Sequence, residues 1–365
     1  MSRKVNIINN VINIAVTVIG VLAVLIVADR FYEESTGRVI LFIAVGAVAG
    51  GFITAFVHEA GHLTFGKLNG FAFLSMTVWF FKWKKERGKT VFRLVRLGEE
   101  AGYTEMVPKT TENLEKRFKN MTLGGILFTV IPIVIGGIAF IFAGRISSAE
   151  FIITATMLPM GLYYLFGNAL PMMNGGEGND GKVLSDVRKN NDDAKVIMSL
   201  LKVQSELFNG KTFSEIDEKY YFDLPQLPED DMNFVRLLTA RYCYFLDKHD
   251  YENAKKTTDR LLSIESLPDE EYLDIFKTYA LYNYCTFDFD AEKADDTVTE
   301  IQKHLDKTND PAEIRAKLAY ILYVKKEKEL VEDFYRKAVK EANKCNLSGQ
   351  GLFERKLIEE MKKDF

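Results

Sequence analysis

The sequence contains few cysteines and few histidines. Its 365 residues include three cysteines, Cys243, Cys285 and Cys345, and four histidines. An odd number of widely spaced cysteines excludes a disulfide framework and a cysteine-based metal site. Free thiols are typical of a reducing compartment, so the half of the chain that carries them is predicted to lie in the cytosol.

Residues 182–365 lack long apolar runs and carry more acidic than basic side chains. Nucleic-acid binding depends on clustered positive charge, so a nucleic-acid partner is excluded. Residues 1–181 have a positive balance and hold nearly all of the long apolar runs. We therefore predict an α-helical membrane domain over residues 1–181 and an all-α cytosolic domain over residues 182–365.

Four apolar stretches are long enough for a helix to cross the hydrocarbon core of a bilayer, which takes roughly 20 residues. The predicted spans are residues 5–28, 39–65, 121–143 and 151–173. The first is too long for a secretory signal and no cleavage pattern follows it, so it is expected to be retained.

Basic residues predict the direction of the spans. The connection over residues 67–120 holds twelve Lys or Arg against six acidic residues, whereas the connections before the second span and before the fourth are acidic or nearly uncharged. Lys and Arg are enriched on the cytoplasmic side of membrane proteins. The expectation is a multi-pass protein of the cell membrane with both termini and the long basic loop in the cytosol.

The second span contains His58-Glu59-Ala60-Gly61-His62, which has the pattern H-E-x-x-H. On a helix the two imidazoles lie on one face and can share a zinc ion, with the glutamate beside them to take a proton from water. Ionisable side chains inside a bilayer are costly unless they are paired or bound, and a metal site removes that cost. Small residues at four-residue steps predict that this face meets another helix. The stripe is Gly46, Gly50, Thr54, His58, His62 and Gly66.

A catalytic zinc site requires a third protein ligand and one open position. His249 and His304 lie deep in the polar half, so a carboxylate is expected. Glu86 is discounted because its surroundings resemble a turn between strands. Asp180 follows the fourth span, which runs in the same direction as the second, and is therefore expected at the same membrane face as His62.

Two further motifs strengthen this interpretation. N-x-x-P at Asn168–Pro171 and D-G at Asp180–Gly181 follow H-E-x-x-H two spans later. In this combination, over roughly residues 39–185, the chain resembles the site-2 protease family of intramembrane zinc metalloproteases. The resemblance implies that His58, His62 and Asp180 bind zinc and that Glu59 activates water. It also implies that Asn168 orients the scissile carbonyl or its oxyanion.

The chain departs from the family in one spacing. The aspartate usually follows the proline by about five residues, whereas Asp180 comes nine residues after Pro171. The glycine-rich segment between them contains Glu177, which is the alternative third ligand. Asp180 is favoured because Gly181 follows it.

Between the second and third spans, residues 71–81 and 90–97 predict the strands of a β-hairpin whose turn is formed by residues 86–89. The family has a β-hairpin that dips toward the membrane beside its site. A free strand edge could bind an extended substrate through main-chain hydrogen bonds. Contact of the basic strands with anionic lipid headgroups is the alternative.

The polar half is predicted to consist of amphipathic helices with a repeat. Residues 250–262, 290–302 and 327–339 resemble one another, with Ala254, Ala294 and Val331 at equivalent positions. This pattern is similar to tetratricopeptide repeats, which often bind a protein partner. A plain helical cap is the alternative.

Together these features predict an intramembrane zinc metalloendopeptidase. Its expected substrates are membrane-anchored proteins or peptides, such as regulators, signal-peptide remnants or pheromone precursors. One rival function is a membrane-embedded peptidase for short soluble peptides that enter from the cytosol. A rival of a different class is a membrane adaptor with a structural zinc site, in which the helical repeats bind partners. Glu59 favours the enzyme, because a structural site is closed by four ligands and needs no base.

Overall fold

The computed structural model describes residues 3–86, 88–96, 102–174, 176–265 and 270–364. The chain is mostly helical and forms two compact units. The first comprises residues 1–85, 90–107 and 112–191, and the second comprises residues 192–365 with the short segments 86–89 and 108–111. The predicted boundary at residues 181/182 falls inside a helix that belongs to the first unit.

The first unit consists of long apolar helices, a small sheet and a short hairpin. Its helices are α1 (Arg3–Phe31), α2 (Thr36–Leu68), α3 (Leu114–Phe128), α4 (Val130–Ile141), α5 (Ser148–Ala155), α6 (Met157–Ala169) and α7 (Asp180–Lys189). Its strands are β1 (Phe71–Val78), β2 (Phe81–Glu86), β3 (Lys89–Leu94), β4 (Gly102–Pro108), β5 (Met173–Asn174) and β6 (Glu177–Gly178).

Four helical segments are long and apolar enough to cross a membrane, consistent with the predicted spans. They are Lys4–Phe31, Thr36–Leu68, Leu114–Ile141 and Ser148–Ala169. Each begins before the predicted limit, by one to seven residues, because helices continue beyond the apolar run. The predicted fourth span extends too far at its C-terminal end, because α6 ends at Ala169 and Met173 belongs to a strand.

The third and fourth spans each contain a one-residue break, at Thr129 and at Thr156. In both, a proline follows three residues later, at Pro132 and at Pro159. Proline has no N–H and its ring crowds the preceding turn, which weakens the helix at that point. Each threonine hydroxyl donates to the carbonyl four residues earlier, at 2.9 Å for Thr129 and 2.6 Å for Thr156.

The single hairpin predicted over residues 71–97 was wrong in its details. The structure has a four-stranded sheet in the order β3-β2-β1-β4. β1 and β2 are antiparallel with Val78 opposite Phe81, so a two-residue turn at Trp79 and Phe80 divides the predicted first strand. Trp79 adopts a left-handed φ of 54°, which a bulky residue rarely does. Its ring packs edge-on against Phe52 of α2, with centroids 5.5 Å apart.

The predicted turn at residues 86–89 coincides with the connection between β2 and β3. Arg87 and Leu97, which belong to the predicted hairpin, lie outside the described residues. β4 was not predicted. It pairs with β1 at one edge of the sheet, and the Ser75 hydroxyl of β1 donates to Glu105 of β4 at 3.0 Å.

The second unit is all-helical. Its helices are α8 (Asp192–Phe208), α9 (Lys219–Phe222), α10 (Met232–Asp247), α11 (Tyr251–Leu262), α12 (Glu270–Cys285), α13 (Ala291–Leu305), α14 (Pro311–Ala319), α15 (Lys328–Ala342) and α16 (Ser348–Met361). Short 3₁₀ turns occupy Phe213–Glu215 and Lys362–Asp364, and a π-helical turn occupies Tyr320–Lys325.

Successive helices of this unit pack in pairs: α10 with α11, α12 with α13, and α14 with α15. The equivalent residues Ala254, Ala294 and Val331 all lie in the core. Asp250 and Asp290 accept hydrogen bonds from backbone N–H groups in the first turns of α11 and α13, which is how N-caps stabilise a helix start. The assignment of these pairs to a repeat family stays a prediction.

Candidate metal centre

Helix α2 carries His58 and His62 on its buried face. The six residues of the stripe predicted to meet another helix are all buried. A Cβ atom on Gly46 would lie 2.9 Å from Thr156, and one on Gly61 would lie 2.3 Å from the carbonyl oxygen of Gly124. Small residues therefore let α2 approach its neighbours closely enough for the imidazoles to point at protein groups.

Helix α3 forms the wall opposite His62. A Cβ on Gly125 would lie 2.3 Å from His62 Nε2, so a side chain at this position would occupy the place of the imidazole. Gly124 approaches Phe65 in the same way, at 2.6 Å from its Cβ. The glycine pair of α3 thus makes room for the second histidine.

Asp180 reaches the histidines because the glycine-rich segment folds back on itself. Strands β5 and β6 are antiparallel, with Met173 opposite Gly178. At the base of this hairpin the Asn179 N–H donates to the Met172 carbonyl at 3.1 Å. The additional residues between Pro171 and Asp180 are therefore looped out, and α7 begins beside the end of α6.

The first turn of α7 packs tightly on the end of α6. Asn179 is its N-cap, and its side-chain oxygen accepts from the Lys182 N–H at 2.9 Å. A Cβ on Gly181 would lie 2.3 Å from the Ala169 carbonyl oxygen. Glycine after the aspartate is therefore required for α7 to begin at this place.

Three ligand atoms converge in the buried centre. His58 Nε2 and His62 Nε2 lie 3.1 Å apart, and Asp180 Oδ2 lies 3.2 Å from each of them. Among the described residues this is the group of ligand atoms that could hold a metal ion. Glu177 does not belong to it.

The partners of the opposite ring nitrogens indicate where the imidazole protons lie. His62 Nδ1 is 3.1 Å from the Met121 carbonyl, which can only accept a hydrogen bond, so Nδ1 carries the proton. His58 Nδ1 is 2.9 Å from the Thr129 hydroxyl, whose own hydrogen goes to the Gly125 carbonyl. Both neutral rings consequently direct an Nε2 lone pair into the centre.

Three converging lone pairs repel one another unless a metal ion or a proton lies between them. Asp180 Oδ2 is buried and has no hydrogen-bond partner in the described part of the chain. Ligand atoms of a tetrahedral zinc site lie about 3.3 Å apart when the bonds are roughly 2.0–2.1 Å long, which matches the separations here. Two imidazoles and one carboxylate are also donors that zinc accepts readily. The three residues therefore fit a zinc ion.

Positive charge in the centre also favours the ionised form of Asp180, which lies beyond the fourth candidate span. Burial raises the pKa of this carboxyl. When the imidazoles are protonated rather than metal-bound, the charge of His62 and hydrogen bonds from both histidines outweigh that effect and lower the pKa to about 2.

Glu59 lies beside this centre under strand β4. Its carboxylate is buried, and Oε2 accepts a hydrogen bond of 2.6 Å from the Thr104 hydroxyl. A Cβ on Gly102 would lie 2.7 Å from Glu59 Oε1, so glycine allows the strand to close over the carboxylate. Thr104 thus fixes the orientation of the Glu59 carboxylate through Oε2.

The structure does not bring the other sequence candidates into the cluster of ligand atoms. Asn168 lies near the end of α6, and its Nδ2 donates to the Tyr164 carbonyl of its own helix at 3.0 Å. Glu86 ends strand β2, consistent with its being discounted.

Four residues around the centre were not singled out from the sequence: Thr104, Thr129, Tyr164 and Asn179. The Tyr164 ring lies 6.3 Å from that of His58. The role of Asn179 could have been predicted from the sequence, because asparagine directly before a helix is a preferred N-cap. The roles of Thr104 and Thr129 could not have been predicted, since their contacts join segments far apart in the chain.

Comparisons with protein-family models, with curated proteins and with solved structures found no match for this chain.

Proposed function

We propose that this protein is an intramembrane zinc metalloendopeptidase of the site-2 protease type. On this proposal it hydrolyses peptide bonds within or next to the membrane-spanning segments of anchored proteins or peptides. The observation that carries it is the convergence of His58 Nε2, His62 Nε2 and the unpartnered Asp180 Oδ2. Both histidines and the neighbouring Glu59 belong to α2, a helix long and apolar enough to span a bilayer.

His58, His62 and Asp180 would hold the zinc ion. When bound, zinc supplies Lewis-acid chemistry: it polarises a peptide carbonyl and makes water a better nucleophile near neutral pH. Glu59 takes a proton from the attacking water and later returns it to the leaving amine. Thr104 orients the carboxylate for both transfers through its bond to Oε2.

Asn168 is proposed to orient the scissile carbonyl. One hydrogen of its Nδ2 is held by the Tyr164 carbonyl, which fixes the plane of the amide. The second hydrogen can then be donated to an oxygen on which negative charge develops.

The chemistry of the site favours this function over an adaptor with a structural zinc. A structural site uses four protein ligands, whereas three are found among the described residues. A buried carboxylate next to the ligands would also cost free energy without serving a closed site.

The proposed location is the cell membrane, with both termini in the cytosol, and the proposed role of the second unit is to bind a protein partner. Four apolar helices support the membrane location. The basic loop supports the orientation.

The test compares the wild type with Glu59→Gln in purified, lipid-reconstituted protein. Substrates are first captured on Glu59→Gln in native membranes, and their cleavage is then measured. We expect the variant to keep stoichiometric zinc and to lose cleavage by at least 100-fold, the scale of general-base catalysis at about 10²–10⁴. Glu177→Gln is the control and retains both zinc and activity. Undiminished cleavage by Glu59→Gln would contradict the proposal.

A further inference from the structure

Helix α1 has three asparagines on one face of a mostly apolar span. Asn6, Asn9 and Asn13 are three and four residues apart, a spacing that aligns them on a helix. Asn6 and Asn9 are half-buried and Asn13 is buried, whereas Asn10 is exposed. Polar side chains within a membrane helix are costly unless they form hydrogen bonds. The partners of this face therefore indicate what α1 does.

Asn6 binds the backbone of Met173 with both ends of its amide. Its Oδ1 accepts from the Met173 N–H at 3.0 Å, and its Nδ2 donates to the Met173 carbonyl at 3.1 Å. Two reciprocal bonds to one residue are what a neighbouring antiparallel strand would provide. The Asn6 side chain thus binds the outer edge of β5, where a neighbouring strand would otherwise bind.

Asn9 binds the same segment one step earlier. Its Nδ2 donates to the Pro171 carbonyl at 2.8 Å. Further along, Asn13 lies against α6, where a Cβ on Gly167 would be 3.2 Å from its Nδ2. The asparagine face therefore follows the chain from the last turns of α6 into the hairpin that precedes Asp180.

Asn179 holds this connection from the opposite side. Its Nδ2 donates to the carbonyls of Gly167 and Leu170, at 2.5 and 2.7 Å, and its Oδ1 accepts from the Met172 N–H at 3.0 Å. Backbone groups from the end of α6 to the hairpin are thus bound by side-chain amides on two sides. Asp180 is the next residue, so its position depends on this segment.

We propose that α1 clamps the α6–α7 connection through Asn6 and Asn9 and thereby positions Asp180 as a metal ligand. Both are positioning residues: they act through the backbone at Pro171 and Met173 and do not touch the ligand atoms. Removing them would leave Met173 N–H and carbonyl groups unpaired next to a membrane span, where unpaired groups are costly, and the segment would shift to satisfy them. The inference rests on the proposed zinc site.

The first measurement needs no metal. Amide hydrogen exchange of the full-length, lipid-reconstituted protein is followed at residues 172–174 in the wild type, Asn6→Leu/Asn9→Leu and Asn10→Leu. We expect faster exchange at Met173 in the double variant only, because its N–H loses its acceptor. Unchanged protection in the double variant overturns the clamp.

The second measurement is zinc affinity by competition with a chelator. The expected loss for the double variant is about 10- to 100-fold, as for other groups that orient a metal ligand. Asn10→Leu makes the same substitution at an exposed position of the same helix and should bind zinc like the wild type. Asn6→Ala removes both bonds to Met173 without adding volume, and it replaces the double variant if that protein does not fold.

Failure of this inference and failure of the proposed function give different results. If the wild type binds zinc, Asp180→Ala does not, and the double variant matches the wild type, the positioning role is wrong and the enzyme proposal stands. If the wild type binds no stoichiometric zinc, the proposed function fails, and the positioning role fails with it.

Discussion

The Thr129 hydroxyl oxygen lies 2.9 Å from His58 Nδ1, at the break between α3 and α4. The same hydroxyl donates to the Gly125 carbonyl four residues earlier, which leaves its lone pairs for the imidazole N–H. One helix break thus selects the tautomer of a proposed ligand in another helix. A group in this position tunes a metal site without touching the metal.

We expect Thr129→Val to weaken zinc binding by about 10- to 100-fold, because the His58 ring loses the acceptor that orients it. Valine has nearly the same shape, so packing is retained. Thr129→Ser should bind as the wild type does. Thr156→Val is the matched control: it alters the equivalent break in the fourth candidate span, where the hydroxyl bonds only the Ile152 carbonyl among the described residues. Chelator competition gives the affinities, and equal losses for both valine variants would refute a specific role of Thr129.

Asp180→Ala should abolish stoichiometric zinc, whereas Glu177→Ala should leave it unchanged. The reason is that Asp180 Oδ2 lies 3.2 Å from both histidine nitrogens and Glu177 is outside the cluster. Mass spectrometry of metal content in purified protein distinguishes the two. The reverse result would assign the third ligand to Glu177.

Gly181→Ala should lower zinc affinity at least 10-fold and destabilise the first unit by about 1–3 kcal/mol, the cost of overpacking. Its Cβ would lie 2.3 Å from the Ala169 carbonyl oxygen, so α7 must move and carry Asp180 with it. Gly137→Ala serves as the control, because a Cβ at that position would meet no atom within 4 Å in the described part of the chain, apart from its own helix backbone and chain neighbours. Thermal unfolding and zinc titration of both variants check the expectation, and a wild-type result for Gly181→Ala would contradict it.

The second unit should lose stability in acid through Asp247. Burial raises the pKa of this carboxyl, but hydrogen bonds from Ser214, Thr212 and Lys356 outweigh that effect and lower the pKa below its usual value. The unfolded chain, with a pKa of about 3.9, then binds more protons than the folded chain. The stabilisation is therefore present above pH 4 and is lost as the pH falls through the lower folded-state pKa.

Asp247→Asn should reduce the free energy of unfolding by about 1–3 kcal/mol at pH 7, since it weakens hydrogen bonds to a charged group. The difference from the wild type should shrink at pH 3. All three cysteines belong to this unit, and Cys285 is buried. A buried thiol reacts once the surrounding structure opens, so the rate of Cys285 labelling by a pyridyl disulfide in increasing urea measures the unfolding of the second unit. A difference that is the same at pH 7 and pH 3 would exclude Asp247 as the titrating group.

The sequence predicted the features that depend on local pattern. Apolar length indicated the four candidate spans, and four-residue spacing placed His58 and His62 on one face of α2. Acidic and polar residues before amphipathic runs located the starts of α11 and α13. Asp180 was preferred over Glu177 on the following glycine, and Gly181 lies tightly against the end of α6. The choice of Asp180 as third ligand stays a prediction.

The features that were missed depend on tertiary contacts. Tryptophan is not a turn residue, and Trp79 adopts a left-handed conformation within an aromatic cluster with α2. Thr104 contacts Glu59 and Thr129 contacts His58 across separations of 45 and 71 residues. The residues next to these two threonines are no different from those around a threonine whose hydroxyl bonds only within its own helix or strand.

Because of the short hairpin before Asp180, the number of residues between Pro171 and Asp180 does not determine where the Asp180 carboxylate lies. The base of the hairpin is closed by the bond between Asn179 N–H and the Met172 carbonyl, so residues can be added or removed beyond Met173, at the tip of the hairpin, while the carboxylate stays in place. Under the proposed function, sequence patterns that demand a constant number of residues between proline and aspartate overlook chains built in this way. A search that leaves this interval open, and requires only a capping residue before D-G, would recover them.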